Sequence, residues 1–383
     1  MTRLRIATVH PASDLGCTSK RLIRYQKGPR CCRFILLIVG GLAMMACSPQ
    51  APLSQPAPQD RLPGFWRNAK RRVTFDGSSA NLTLISRTLG EGMYRRLGPG
   101  FMWAVFGARG HAYYEGLVAL GEGEVDFAMI TPAVTGQMAR EGKGYFQKAY
   151  PNLRAITVYP QNDWLGCAVP AKLGISSFDD IKAKKPPLKI ATGPIGQDDG
   201  VGFLAEQLLA AYGITVKDLE GWGGKFLEAR VSGAAVEKVL SGEADMACHE
   251  AWKSFRRLTE RFPVKFLPVS EEVLNQLQQK FGYQRNVIRK GLYGPNVPDR
   301  DIPAVDFSDW PLLTRAALPD DLAYLAVQVA VEDRKEVEAF YTGVPEKDRG
   351  MDLPLKPEIM WKNVGVPLHP GAEKYYREKG LMK

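Results

Sequence analysis

The sequence is poor in the residues that most catalytic chemistry needs. Its 383 residues hold four histidines, His10, His111, His249 and His369, and six cysteines. No HExxH and no paired CxxC occurs, so neither a zinc hydrolase nor a structural zinc site is expected. No Gly-x-Ser-x-Gly elbow is present, nor a convergent Ser, His and Asp, and an enzyme is the least supported class. No cofactor is expected. Positive charge is also scarce where a polyanion would need it. The net charge is +10, but eight of the 51 Lys and Arg and one of the 41 Asp and Glu fall within residues 1–46, which leaves +3 on the rest. No basic stripe with interleaved aromatics remains, and nucleic acid is excluded as a partner.

Long apolar runs are missing as well. The stretch RCCRFILLIVGGLAMMACSPQ places basic residues before 13 apolar ones, residues 34–46. That is too short to span a bilayer and suits the core of a signal peptide. Ala46 then precedes Cys47, as in a bacterial lipoprotein cleavage box, with Met44 where Leu is usual. We expect residues 1–46 to be a lipoprotein-type signal peptide and residues 47–66, rich in Pro and Gln, to be a tether. Two acyl chains on Cys47 anchor a protein stably, since each buried CH₂ contributes about 0.8 kcal/mol. The expected location is therefore periplasmic, with the lipid bilayer held through Cys47. Cys17, Cys31 and Cys32 leave with the leader, so Cys167 and Cys248 remain in the folded part. They can pair, or stay as two buried thiols, which is the simpler reading.

The remaining 337 residues suit about two domains, and they contain a weak echo. LGEGEVDFAMITPAVTG starts at Leu120 and LSGEADMACHEAWKS at Leu240. Each follows a helical pattern, turns at Gly-Glu, places an acid (Asp126, Asp245) and enters a short apolar strand. A strand–loop–helix precedes each one. Two such α/β units imply two lobes facing a cleft, with ligand beyond the carboxyl ends of the strands. One of these loops, in KIATGPIGQDDGVGFLAEQLLAAYGI (residues 189–214), has the outline of a phosphate loop. It lacks the Lys-Ser/Thr of a P-loop and the GxGxxG of a dinucleotide loop, and its acids repel phosphate. Gly193 and Gly196 instead permit close approach, and the amides after Gly196 could receive a carboxylate. Thr192 and Gln197 join that mouth, and Asp198 either joins it or caps the helix. From the first unit we single out Ser78, Ser79, Arg109, His111 and Thr131; from the second, His249 and Trp252. Arg109 is the planar fork for a carboxylate.

The run LRAITVYPQNDWLGCAVPAKLGISSFDDIKAKKPPLKIATGPIGQDDGVGFLAEQLL resembles the centre of the TAXI receptors. These are the solute-binding proteins of one branch of tripartite ATP-independent periplasmic (TRAP) transporters. GEVDFAMI, IRKGLYGPN, ALPDDLAYLAVQVAVEDRKEV and the terminal VPLHPGAEKYYREKG add to the resemblance, which covers residues 70 to 380. It implies a two-lobed type II periplasmic-binding-protein fold, with the ligand cleft between an α/β lobe of residues 67–161 and 303–383 and another of residues 162–302. It places the crossings around residues 159–164 and 302–307. It implies a small anionic organic solute (an amino acid, a dicarboxylate or a 2-oxo acid) delivered to a TRAP membrane permease. The first loop, DGSSANLTLISRTLG, departs from the family by lacking its aromatic pair, and FGARGHAYYEG brings Arg109 and His111 where relatives have small residues. A same-fold receptor for an ABC importer of sulfonate or pyrimidine type, or for a signalling partner, is the alternative.

Overall fold

The computed structural model describes residues 71–383 apart from 78–79, 108–112, 197–198 and 251. The signal peptide, the tether and Cys47 lie outside the described residues. The chain opens with β1 (Arg71–Gly77), α1 (Ala80–Leu97), β2 (Phe101–Gly107), α2 (Tyr113–Glu122), β3 (Phe127–Met129), α3 (Ala133–Glu141) and β4 (Leu153–Tyr159). Strands separated by helices pair in parallel, because a crossover must carry the chain back to the starting edge. Accordingly β1 pairs in parallel with β2 and β3.

The chain then leaves this sheet. It forms β5 (Trp164–Pro170), α4 (Phe178–Lys184), β6 (Lys189–Thr192), α5 (Gly200–Ala211), α6 (Val216–Gly221), β7 (Lys225–Glu228), α7 (Ser232–Leu240) and β8 (Met246–His249). After these come α8 (Phe255–Arg261), β9 (Val264–Phe266), α9 (Glu271–Phe281), β10 (Arg285–Ile288) and β11 (Ile302–Asp306). Finally β12 (Trp310–Arg315) returns to the first sheet, followed by α10 (Asp320–Glu332), α11 (Arg334–Glu338) and α12 (Pro370–Glu378).

The strand orders are β2-β1-β3-β12-β4 and β10-β11-β5-β8-β6-β7, with β9 on β5. This is the mixed α/β architecture on two open sheets that the alternating pattern predicts. β11 pairs with β10 and β5. The return passage therefore follows Asp306 and spans residues 307–309, whereas the outward one spans 160–163.

The two passages are clasped to each other. Phe307 N–H donates to Asp163 O at 2.9 Å and Asp309 N–H to Gln161 O at 3.1 Å. Side chains add Gln161 Nε2 to Phe307 O at 3.2 Å and Ser308 Oγ to Asp163 O at 3.1 Å.

The sequence echo has a structural meaning. Asp126 accepts the N–H of Thr74 in β1 at 2.9 Å, and Asp245 accepts that of Lys189 in β6 at 2.8 Å. Each aspartate returns its own N–H to the same residue, at 3.0 Å and 2.8 Å. In both sheets the acid after the Gly-Glu turn thus locks the register of the following strand on the sheet's first helix-linked strand, β3 on β1 and β8 on β6.

The interior follows the apolar pattern. β5 is buried along its whole length, and FAMI, residues 127–130, is fully buried. One continuous apolar cluster joins Val73, Phe127 and Leu313 of the first sheet to Ile190 and Leu204 of the second. Cys167 and Cys248 stand opposite each other on antiparallel β5 and β8 and are bonded, S–S 2.07 Å. This corrects the simpler expectation of free thiols. Their pairing depends on the strand register, which a separation of 81 residues does not reveal.

The terminal PLHPGAEKYY is a packing device. His369 caps α12 by accepting the Gly371 N–H at Nδ1, 3.2 Å. Tyr376 is fully buried and donates to Met360 O at 3.0 Å. The two tyrosines form the packed helix face that the sequence suggests.

Candidate functional site

The carboxyl ends of β3, β6 and β8 carry the described residues singled out from sequence, and a chain of hydrogen bonds and one longer polar contact, His249 to Glu250, connects them. Thr131 follows β3 and is buried; its Oγ1 donates to Phe307 O in the return passage at 3.4 Å. Phe307 bonds Asp163 of the outward passage, as above. The Asp163 carboxylate accepts Trp164 N–H at 2.8 Å and also the side chain of Glu250, the residue after β8. His249 ends β8, fully buried, with Nδ1 3.7 Å from Glu250 Oε1. Its Nε2 lies 3.0 Å from Ala229 O, which only a ring N–H can satisfy. Ala229 N–H in turn donates to Thr192 O at 2.7 Å. Thr192 ends β6, fully buried, and its Oγ1 has no partner among the described residues.

The loop between β6 and α5 folds tightly on itself. Asp199 is the N-cap of α5: its Oδ1 accepts Val201 N–H at 3.0 Å and Gly202 N–H at 2.8 Å. A β-carbon on Gly193 would land on that carboxylate and 2.6 Å from Gly202 N. Gly193 therefore makes room for the cap, while Gly196 takes the left-handed backbone, φ +67°. Two of the amides expected to face a carboxylate ligand are thus already satisfied by a carboxylate of the protein.

Sequence reading missed the acids here. Burial pushes the Asp199 carboxyl up to about 6, against the two amide bonds that hold it down. Burial also pushes Glu250 well above the ordinary carboxyl range, and the neighbouring Asp163 adds to this. Burial and the neighbouring carboxyl thus both favour the protonated form of Glu250, as expected where two carboxyls occupy one site. Only the pairing of β5 with β8 reveals this, since Asp163 and Glu250 lie far apart in sequence.

Ser78, Ser79, Arg109, His111, Gln197 and Asp198 lie outside the described residues. Trp252 falls in a short 3₁₀ turn, residues 252–254, that leads into α8. Two cavities flank the passages. One of about 490 Å³ is lined by Asn162, Trp164, Arg349 and Asp352 among others, and one of about 420 Å³ by Gln137, Arg285, Asp309 and Asn363 among others. Neither is lined by a residue singled out from the sequence.

Two open α/β sheets, joined by two clasped passages and carrying polar groups at their strand ends, define the class of protein. The chain belongs to the NMT1-like family, whose model matches residues 112–380. Among solved structures it is similar to MatC from Rhodopseudomonas palustris with bound malate, at 14% identity and TM-score 0.48, over 81% of this chain and 98% of that one. It is also similar to PhnD1 from Prochlorococcus marinus in complex with methylphosphonate, at 11% identity and TM-score 0.47, over 82% and 100%. The periplasmic binding protein BugD matches at 13% identity and TM-score 0.44, over 82% and 100%.

Proposed function

We propose that this protein is an extracytoplasmic solute receptor, anchored by lipid at Cys47, that hands a small organic solute to a TRAP-type permease. The observation that carries this reading is the chain of polar contacts from Thr131 through both passages to Glu250, His249 and Thr192. It links polar groups at the strand ends of two sheets that the chain joins only through two short segments. Such a layout suits binding without turnover, in which a solute bridging two lobes favours their closed arrangement. In this reading the lobes are residues 67–161 with 303–383 and residues 162–302. The permease and the anchor rest on the TAXI-like motifs and on the leader.

Among the three expected solute types, an amino acid has the best support. Its ammonium supplies three donors for Glu250 and Asp163, whereas a second carboxylate would meet like charge there. Its own carboxylate would fall to Arg109, Ser78 and Ser79. A thermal-shift screen of residues 48–383 against amino acids, dicarboxylates, 2-oxo acids, sulfonates and phosphonates tests the reading. A solute at 100 times its dissociation constant adds about 2.7 kcal/mol of stability, which raises the melting temperature by several degrees. Silence across every organic acid and amino acid would sink the proposal.

A further inference from the structure

A second contact joins the two sheets' elements on one side of the return passage, where Ala133 N–H donates to Ser308 O at 3.3 Å and Asp306 N–H to Gln284 O at 2.9 Å. Phe203 lies in the first turn of α5, next to Gly202, whose amide holds Asp199. Its ring is 5.0 Å from Tyr145, edge-on at 63°, and 5.0 Å from Phe281 at 78°. Tyr145 and Phe146 belong to the loop after α3 and stack at 4.7 Å; Tyr114, at the start of α2, lies 5.2 Å from Phe146. On the far side Phe281 ends α9 and meets Tyr283 at 6.5 Å. Three rings from the helices and loops beside each sheet thus meet.

The backbone is shaped to this contact. Gly144 and Gly282 both have left-handed φ, +66° and +90°. A β-carbon on Gly144 would stand 3.4 Å from Phe203 Cζ, and one on Gly282 would stand 3.1 Å from Val134 Cγ2 of α3. Bare main chain at both points lets the two bodies close up.

We infer that the Tyr145–Phe203 contact is a latch that holds the empty protein closed and sets the fraction ready to bind. The two passages link the two bodies, and a turn about their clasp must break this contact together with the apolar packing that the two sheets share. An edge-on aromatic pair with its buried surface shifts a two-state equilibrium by roughly tenfold. The latch also governs the site, because α5 carries both Phe203 and the Asp199 cap. Its bearing on affinity rests on the proposed receptor function; its existence does not.

Small-angle scattering on the processed, solute-free protein tests the latch. Phe203 is only half-buried, so Phe203→Ala leaves no sealed cavity. Phe203→Ala and Tyr145→Ala should both keep the parental far-ultraviolet dichroism and show a larger radius of gyration. The double variant should be no larger than either single one, because both break one contact. If Tyr145→Ala loses its fold, Phe203→Leu, which keeps bulk but not the ring edge, is scattered in its place. Folded variants with an unchanged radius would reduce the contact to ordinary packing and overturn the inference. If the screen yields a solute, Phe203→Ala should bind it about tenfold more weakly while reaching the same radius at saturation. A screen without any solute would sink the receptor reading and leave the latch to be decided by the radius.

Discussion

Replacing Asp309 by Asn should change how stability depends on pH, and the structure gives the size. Asp309 lies in the return passage with a left-handed backbone, φ +73°, and its Oδ1 accepts Gln161 N–H at 3.3 Å. Burial, reinforced by Asp306 and Asp352, pushes its carboxyl from 3.8 to about 7 against the bond from Gln161. A carboxyl raised in this way binds its proton more tightly in the folded state, so its ionisation opposes folding. The cost is absent below the unfolded value near pH 4, grows as pH rises, and is complete above pH 7. Between pH 5 and pH 8 the group removes about 2 kcal/mol of stability, allowing for partial solvation, at about 1.36 kcal/mol per pH unit below the folded value. Asn keeps the accepting oxygen, tolerates the left-handed backbone and does not titrate. Urea unfolding at pH 5, 6, 7 and 8 should therefore show the variant gaining on the parent by about that amount across the range. Asp199, raised to about 6, is present in both proteins and cancels. Parallel curves for the two proteins would refute the argument.

Other perturbations probe the site and the anchor. Gly193→Ala should cost about 1–3 kcal/mol, because the added carbon collides with the Asp199 cap; an unchanged melting temperature would contradict the tight loop. Arg109→Ala should weaken solute binding by one to two orders of magnitude, in keeping with a charge-assisted bond of about 1.5–3 kcal/mol, while the empty protein melts as before. Arg109→Lys should recover only part of the loss, and equal binding by both variants and the parent in isothermal titration would remove Arg109 from the site. Cys47→Ala should release the protein from the membrane fraction; recovery of unprocessed chain in the cytoplasm would remove the anchor and the receptor reading together.

Local chemistry made much of the fold legible. FAMI reads as a buried strand because nothing in it is charged, and the tail signals a packed helix through its paired tyrosines. The alternation of strand and helix gave parallel pairing by the handedness of crossovers. What stayed hidden was whatever depends on register between distant segments. QDDG offers two capping aspartates, and only the closed loop, with Gly193 beneath it, selects Asp199. The Cys167–Cys248 bond and the Asp163–Glu250 pair both arise from the placement of β5 beside β8, which no local pattern encodes. The strand that precedes the return passage was hidden for the same reason. IPAVD is equally suited to either sheet, and its partners decide. Thr131, Thr192 and His249 stand at strand ends, as their local patterns suggest, but the carboxyl pair between Thr131 and His249 was not legible.

Asp306 pairs with Trp164, so the chain leaves the first sheet and comes back at neighbouring points. Both the first described strand and the terminal helix belong to the first sheet, which makes residues 164–306 a closed excursion with adjacent ends. The gene segment for that excursion is therefore a cassette. Exchanging it between relatives would replace the whole second sheet in a single step, with both chain ends and the first sheet unaltered. If the protein is the receptor proposed above, new solute preferences can arise by recombination at two points as well as by substitution.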